Sequence, residues 1–156
     1  MSLDAPTPLS VSGAGFRIGI VAARFNAVLV DALVTRATAR LTAAGVSAAA
    51  IETVRVPGSH EVPWAAQQLA ASGRFDAVVT LGVLIAGDTN HHEMVGDAVA
   101  AALMRVSLDT RVPVINGVIV VNTREQAEVR TVGAYDRGSE FAAAALEMAA
   151  LKKSLS

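Results

Sequence analysis

The sequence predicts an α/β three-layer sandwich, in which a four-stranded parallel core sheet is covered by helices on both faces. Two observations carry this. Apolar runs of strand length alternate along the chain with segments of helical period, and three of the runs (16–22, 76–85 and 112–121) are nearly continuously apolar, as in strands buried on both faces. That order implies right-handed crossovers and places ligands at the carboxyl ends of the strands.

Residues 1–15 (MSLDAPTPLSVSGAG) carry two prolines and the pair Gly13 and Gly15, the marks of an extended lead-in able to add a strand to a neighbour. Residues 16–156 form the single domain. Phe16–Ala22 is the first strand, and Asn26 is placed to cap a helix whose apolar face is Val30, Leu33, Val34, Ala37 and Leu41, ending near Gly45. Ile51–Val56 is the second strand. After Pro57-Gly58-Ser59 a helix begins about Glu61, tolerates Pro63 in its first turn and ends by Gly73. The third strand, 76–85, breaks at Gly87, and apolar positions 94, 95, 98, 99, 102, 103 and 106 then follow a helical period. Asn90, with Glu93 three residues later, is placed to cap that helix, whose free N–H groups attract anions. Val112–Val121 is the fourth strand, Thr123 opens a short polar helix through Arg130, and a last helix runs from about Ser139 to Lys153. The sheet is flavodoxin-like. Gly13-Ala14-Gly15 precedes the first strand, so it is no dinucleotide fingerprint.

The composition excludes several functions. At 156 residues and 53% hydrophobic, mostly Ala and Val, the chain has a full core and a mild excess of apolar surface that hints at oligomerisation. A net charge of -1 with no basic block argues against nucleic acid and anionic membranes. The chain has no cysteine, which rules out disulfides and thiolate catalysis. Neither a leader pattern nor an apolar run of about 18 residues is present. A cytoplasmic location is expected.

Three turns converge at the carboxyl edge: Arg24-Phe25-Asn26, Gly58-Ser59-His60-Glu61 and Gly87 to His92. Together they offer an aromatic face, hydrogen-bonding groups, an anion-ready helix terminus and imidazoles. That set suits a planar, polyhydroxylated and phosphorylated pair of small molecules. Each residue also has a plainer reading. Phe25 can staple its own helix, Glu61 and Arg130 can complement helix dipoles, and adjacent His91 and His92 point about 100° apart with no metal-ligand pattern around them.

In their order and spacing, the segments IGIVAARFN, VRVPGSHEVPWAAQ, VTLGVLIAGDTNHHEMV and INGVIVVNTREQAEVR resemble the lumazine synthase family, and the resemblance runs from about Phe16 to Lys153. It implies condensation of 5-amino-6-(D-ribitylamino)uracil with 3,4-dihydroxy-2-butanone 4-phosphate to 6,7-dimethyl-8-ribityllumazine, a step of riboflavin biosynthesis needing no cofactor and no metal. The resemblance makes Phe25 the aromatic stacked on the pyrimidine, with Asn26 nearby. It makes Ser59 and His60 the turn beside the ribityl chain and Glu61 the acceptor for its hydroxyls. Val83, Leu84 and Ile85 present backbone groups to the ring, and Gly87, Asp88 and Thr89 wrap the phosphate. His91 aligns with the proton-transfer histidine and Arg130 with the phosphate-binding arginine. Asn116 aligns with a position supplied by an adjacent subunit, and Arg137 with a usual lysine. Ala86, Asp88 and His60 depart from the family pattern: Ala86 removes positive charge and Asp88 adds negative charge near the phosphate turn. The resemblance also implies pentamers, decamers or icosahedral shells, with riboflavin synthase as a candidate partner. The compact loop from Thr131 to Arg137 resembles shell-forming members. A second reading is a non-catalytic flavin-binding or shell-forming paralogue, and a third a flavodoxin-like signalling module, although acidic residues are missing from the end of the first strand.

Overall fold

The computed structural model describes residues 4–156; residues 1–3 of the expected lead-in lie outside the described residues. Four strands, β1 (Ile18–Ala23), β2 (Ile51–Val56), β3 (Ala77–Ile85) and β4 (Val114–Val121), alternate with helices α1 (Ala27–Ala43), α2 (Val62–Ala71), α3 (His91–Thr110), α4 (Arg124–Thr131) and α5 (Arg137–Ser154). The sheet is parallel throughout, in the order β2-β1-β3-β4. The alternating order of the sequence thus gives the expected sandwich.

Side-chain alternation on the strands divides the core in two. Ile18, Ile20 and Ala22 of β1 and Val79, Leu81 and Val83 of β3 meet α1 and α5. Val21, Ala23 and Val78 face the other way, onto α2 and α3. Every residue of β1 is buried, which is why that run lacks the polar alternation of a half-exposed strand. Small residues bring the α1–α5 pair close. A Cβ on Gly138 would lie 2.7 Å from the Leu33 carbonyl oxygen, and Ala142, Ala145 and Ala149 continue the same buried stripe.

Several boundaries shift from the expected ones for local reasons. α2 starts at Val62, because Ser59–Glu61 forms a separate 3-10 turn, and Pro63 sits where its missing N–H costs nothing. α5 starts at Arg137 rather than Ser139, because Asp136 caps it, accepting from the Ser139 N–H at 3.1 Å and the Ser139 hydroxyl at 2.7 Å. Thr123 caps α4 as expected, with Gln126 reaching back to the Thr123 N–H. A further 3-10 turn at Ala48–Ala50 leads into β2. On β2, Glu52 accepts from Arg74 beyond the end of α2 at 2.6 Å, which holds its carboxyl below the usual range. Ahead of β1, the lead-in is tied to the body by Gly13 N–H donating to the Ala44 carbonyl at 2.7 Å and Leu9 N–H to Glu147 at 3.1 Å. No strand forms within it among the described residues.

β4 is held against β3 and α5 at a glycine. A Cβ on Gly117 would overlap the Thr80 carbonyl oxygen and lie 2.8 Å from Phe141 Cδ2. The first obstacle is backbone in the sheet and cannot yield without shifting a strand. Gly117→Ala therefore destabilises the fold by about 1–3 kcal/mol, as overpacking does. Denaturant unfolding checks this, and an unchanged midpoint contradicts the packing.

Candidate active site

The strand register creates the site. β3 pairs with β1 only as far as Ala22 opposite Leu81, but with β4 as far as Ile85 opposite Val121. Residues 82–85 therefore overhang β1 and leave one backbone edge with no strand partner on that side. A pocket of about 500 Å³ opens there, lined among others by Phe25, Asn26, Val83, Leu84 and Ile85. It lies at the carboxyl edge, where the topology places ligands.

Asn26 ties the two sides of the pocket together. Its backbone is left-handed (φ 54, ψ 48), and its side-chain Nδ2 donates to the Val83 carbonyl at 2.8 Å. The expected side-chain cap on α1 is corrected by this: capping residues that use their side chains sit in extended backbone, whereas here the side chain turns to β3. The Asn26 carbonyl accepts instead from the N–H groups of Leu29 and Val30. Phe25 is 71% exposed, so its ring is not a staple on α1 but an open aromatic face beside the overhang. Gly58 lies beside the ring, where a Cβ would meet Phe25 Cδ2 at an ordinary contact distance of 3.4 Å.

The second wall is the turn after β2. Glu61 Oε2 accepts from the Gly58 N–H at 2.9 Å, and Glu61 Oε1 stands 3.9 Å from His60 Nδ1. One carboxylate oxygen thus orders the turn while the residue lines the pocket. Ser59 is buried over Gly82, whose Cβ position would lie 2.5 Å from Ser59 Oγ. Glycine at 82 leaves the Ser59 hydroxyl its place against β3.

The third wall is the loop into α3. Gly87, Thr89, His91 and His92 line the pocket, whereas Asp88 is exposed and outside the lining. The Asn90 side chain makes no cap, contrary to expectation; its backbone carbonyl accepts from Glu93 and Met94, and Thr89 Oγ1 takes the His91 N–H at 3.4 Å. His91 is exposed at the mouth, and His92 is buried. Gly58 and His92, placed at this edge by the sequence without a site role, line the pocket, as does Val95, read only as an apolar helix position. His92 was legible in principle, because 92, 95, 99, 103 and 106 form the buried stripe of α3.

Three expected residues stand apart from the pocket of their own chain. Asn116 pairs with Thr80, five positions before Ile85, or about 16 Å along the strand. Arg130 donates to the Gln126 carbonyl at 2.9 Å and lies 5.8 Å from the Tyr135 ring centre, and Arg137 bonds Glu140. No Arg or Lys lines the pocket. Among the described residues no group of three or more His, Asp or Glu is gathered as a metal site, and no helix is long and apolar enough to cross a membrane.

A parallel α/β fold with an aromatic face, a carboxylate, an unpaired strand edge and an imidazole at the sheet's carboxyl edge defines an enzyme-like site for a planar small molecule. Residues 15–153 match the family model of 6,7-dimethyl-8-ribityllumazine synthase, and the chain belongs to that family. It is similar to the 6,7-dimethyl-8-ribityllumazine synthases of Xanthomonas campestris pv. campestris (strain B100), 46% identical over 89% of this chain and 91% of the relative, and Stenotrophomonas maltophilia (strain R551-3), 46% identical over 89% and 90%.

Asn26 carries a test of this geometry. Asn26→Ala loses the bond to Val83 and places a Cβ-bearing residue without that bond in left-handed backbone, costing about 1–3 kcal/mol. Asn26→Gly recovers the backbone part of that loss. Thermal unfolding of both variants checks it, and equal stability of the two would show that the left-handed turn is not under strain.

Proposed function

We propose that this chain condenses 5-amino-6-(D-ribitylamino)uracil with 3,4-dihydroxy-2-butanone 4-phosphate to 6,7-dimethyl-8-ribityllumazine, phosphate and two molecules of water. The observation that carries the reading is the unpaired edge of β3 at 82–85, which shares its pocket with Phe25 and His91. A pyrimidine stacked on Phe25 finds backbone groups of Val83, Leu84 and Ile85 at its edge, with Asn26 close by. Its ribityl chain runs toward Ser59, His60 and Glu61.

The chemistry follows from that placement. The 5-amino group attacks the butanone carbonyl carbon and the carbonyl oxygen leaves as water to give an imine. Phosphate is then eliminated, the resulting enol becomes a ketone, and the ribityl-bearing amine attacks that ketone and expels a second water to close the ring. Each step moves a proton near neutral pH, for which an imidazole at the mouth is suited. His91 is the proposed proton-transfer group. Holding both substrates side by side supplies much of the remaining acceleration. Gly87, Asp88 and Thr89 form the phosphate turn, at the α3 terminus whose N–H groups favour an anion.

The phosphate also needs a cation, and none lines the pocket of a single chain. We therefore assign Arg130, Arg137 and Asn116 to the pocket of an adjacent copy, which makes the protein a homo-oligomer, a pentamer or a multiple of pentamers up to an icosahedral shell. Exposed apolar side chains such as Trp64 (69%), Met104 (63%) and Leu108 (70%) support burial between copies. Turnover decides between this reading and a non-catalytic paralogue: on mixing both substrates the lumazine absorbance appears, whereas binding without product sinks the enzymatic reading. A cytoplasmic location and a partnership with riboflavin synthase belong to the same proposal.

His91→Ala slows turnover by roughly 10- to 1000-fold without abolishing it, since approximation survives. An undiminished rate in steady-state assays removes His91 from the chemistry. Arg130→Ala raises KM for the butanone phosphate and leaves that for the pyrimidine nearly unchanged. Because Arg130 and His91 belong to different copies of one site, the two variants recover activity when refolded together. No recovery in the mixture means that both act within one chain.

A further inference from the structure

Among the described residues, the buried side-chain polar atoms with no hydrogen-bond partner are Ser59 Oγ, His92 Nδ1 and His92 Nε2. Both residues line the same pocket. Buried polar groups in native proteins are nearly always paired, and each exception calls for an explanation. His92 is 9% exposed and opens the stripe that Val95, Val99, Leu103 and Val106 continue into the core. An apolar ring would fill that position at no desolvation cost, so the stripe alone does not account for a histidine.

A half-turn of the imidazole about its Cβ–Cγ bond exchanges ring nitrogens and carbons within the same volume. Both nitrogens are buried as the ring stands, and the half-turn places them where the ring carbons now lie without repacking the neighbours. Neutral imidazole offers one donor and one acceptor, and the Ser59 hydroxyl offers both. A partner that meets them all must itself donate and accept at successive positions. A chain of hydroxyls does so. A phosphate dianion only accepts, and the uracil ring has the unpaired edge of β3 for its own donors and acceptors.

We propose that His92 is a substrate-binding residue which, with Ser59, forms a polar subsite for the hydroxyl chain of the ribitylaminouracil. The inference rests on the reading of the pocket as a lumazine synthase site and adds to it a specificity-determining residue. His92, at the start of α3, and Ser59, on the turn after β2, grip the chain from two walls. Glu61 closes the same side.

The test is His92→Phe, which keeps a ring in the stripe and removes both nitrogens, measured by calorimetry on the full-length protein. The probes are 5-amino-6-(D-ribitylamino)uracil and 5,6-diaminouracil, which lacks the chain. His92→Phe weakens binding of the ribityl compound by about tenfold, leaves the diaminouracil unchanged and raises the melting temperature, because unpaired buried nitrogens are gone. Unchanged affinity for the ribityl compound, or equal loss for both probes, overturns the proposal. Should His92→Phe not fold, Ser59→Ala is read by the same two probes with the same expectation. Turnover of the wild type with no such selective loss overturns this inference and leaves the enzymatic reading standing. Selective loss with no turnover does the reverse.

Discussion

The feature on which the site depends is the unequal pairing of β3. Its two neighbours do not match it in length: β4 follows it to Ile85, and β1 stops pairing with it at Leu81. A sheet edge in the interior of a fold carries backbone donors and acceptors that must be met. Here Asn26 meets one of them from the left-handed turn that ends β1, and the rest face the pocket. The length of β3 is therefore a functional quantity. It follows from an uninterrupted apolar run whose side chains reach both cores, ending where Ala86 and Gly87 leave the sheet.

Glycines set how closely the pocket walls approach that edge. Gly82 leaves room for the Ser59 hydroxyl against the strand, and Gly117 lets β4 lie close to β3 and Phe141. The result is a rigid frame that carries an exposed aromatic ring and an imidazole. The frame has no fixed positive charge of its own. In the loop after β3, Ala86 is neutral and Asp88 acidic. Arg130, in the last turn of α4, contacts Gln126 and Tyr135, and the loop that follows is tied down where the Val132 and Gly133 carbonyls accept from Arg36.

Most of the fold was legible because it rests on periodicity. The nearly continuous apolar runs of 16–22 and 76–85 and the alternation of strand with helix were enough for the parallel sheet and its carboxyl-edge cleft. The caps were less legible. Asn26 and Asn90 have the composition of capping residues, but one adopts left-handed backbone and bonds β3, and the other leaves the cap to Thr89. Composition carries no information on which neighbour a short amide will reach. The extent of the overhang was hidden for a similar reason, since register is a relation between strands. His92 was passed over because adjacent histidines draw attention to the exposed one, whereas the stripe of α3 shows that the second faces inward.

A crystal structure of the protein soaked with 6,7-dimethyl-8-ribityllumazine tests the central claim most directly, because it asks where the ligand lies rather than whether it turns over. The predicted result is ring density stacked on Phe25 and hydrogen-bonded along Val83–Ile85. A second groove, at the opposite edge between the carboxyl ends of α3 and α5, is lined by Leu108, Arg111, Met148 and Leu155. Ordered ligand in that groove, with none against the overhanging strand, would contradict the claim.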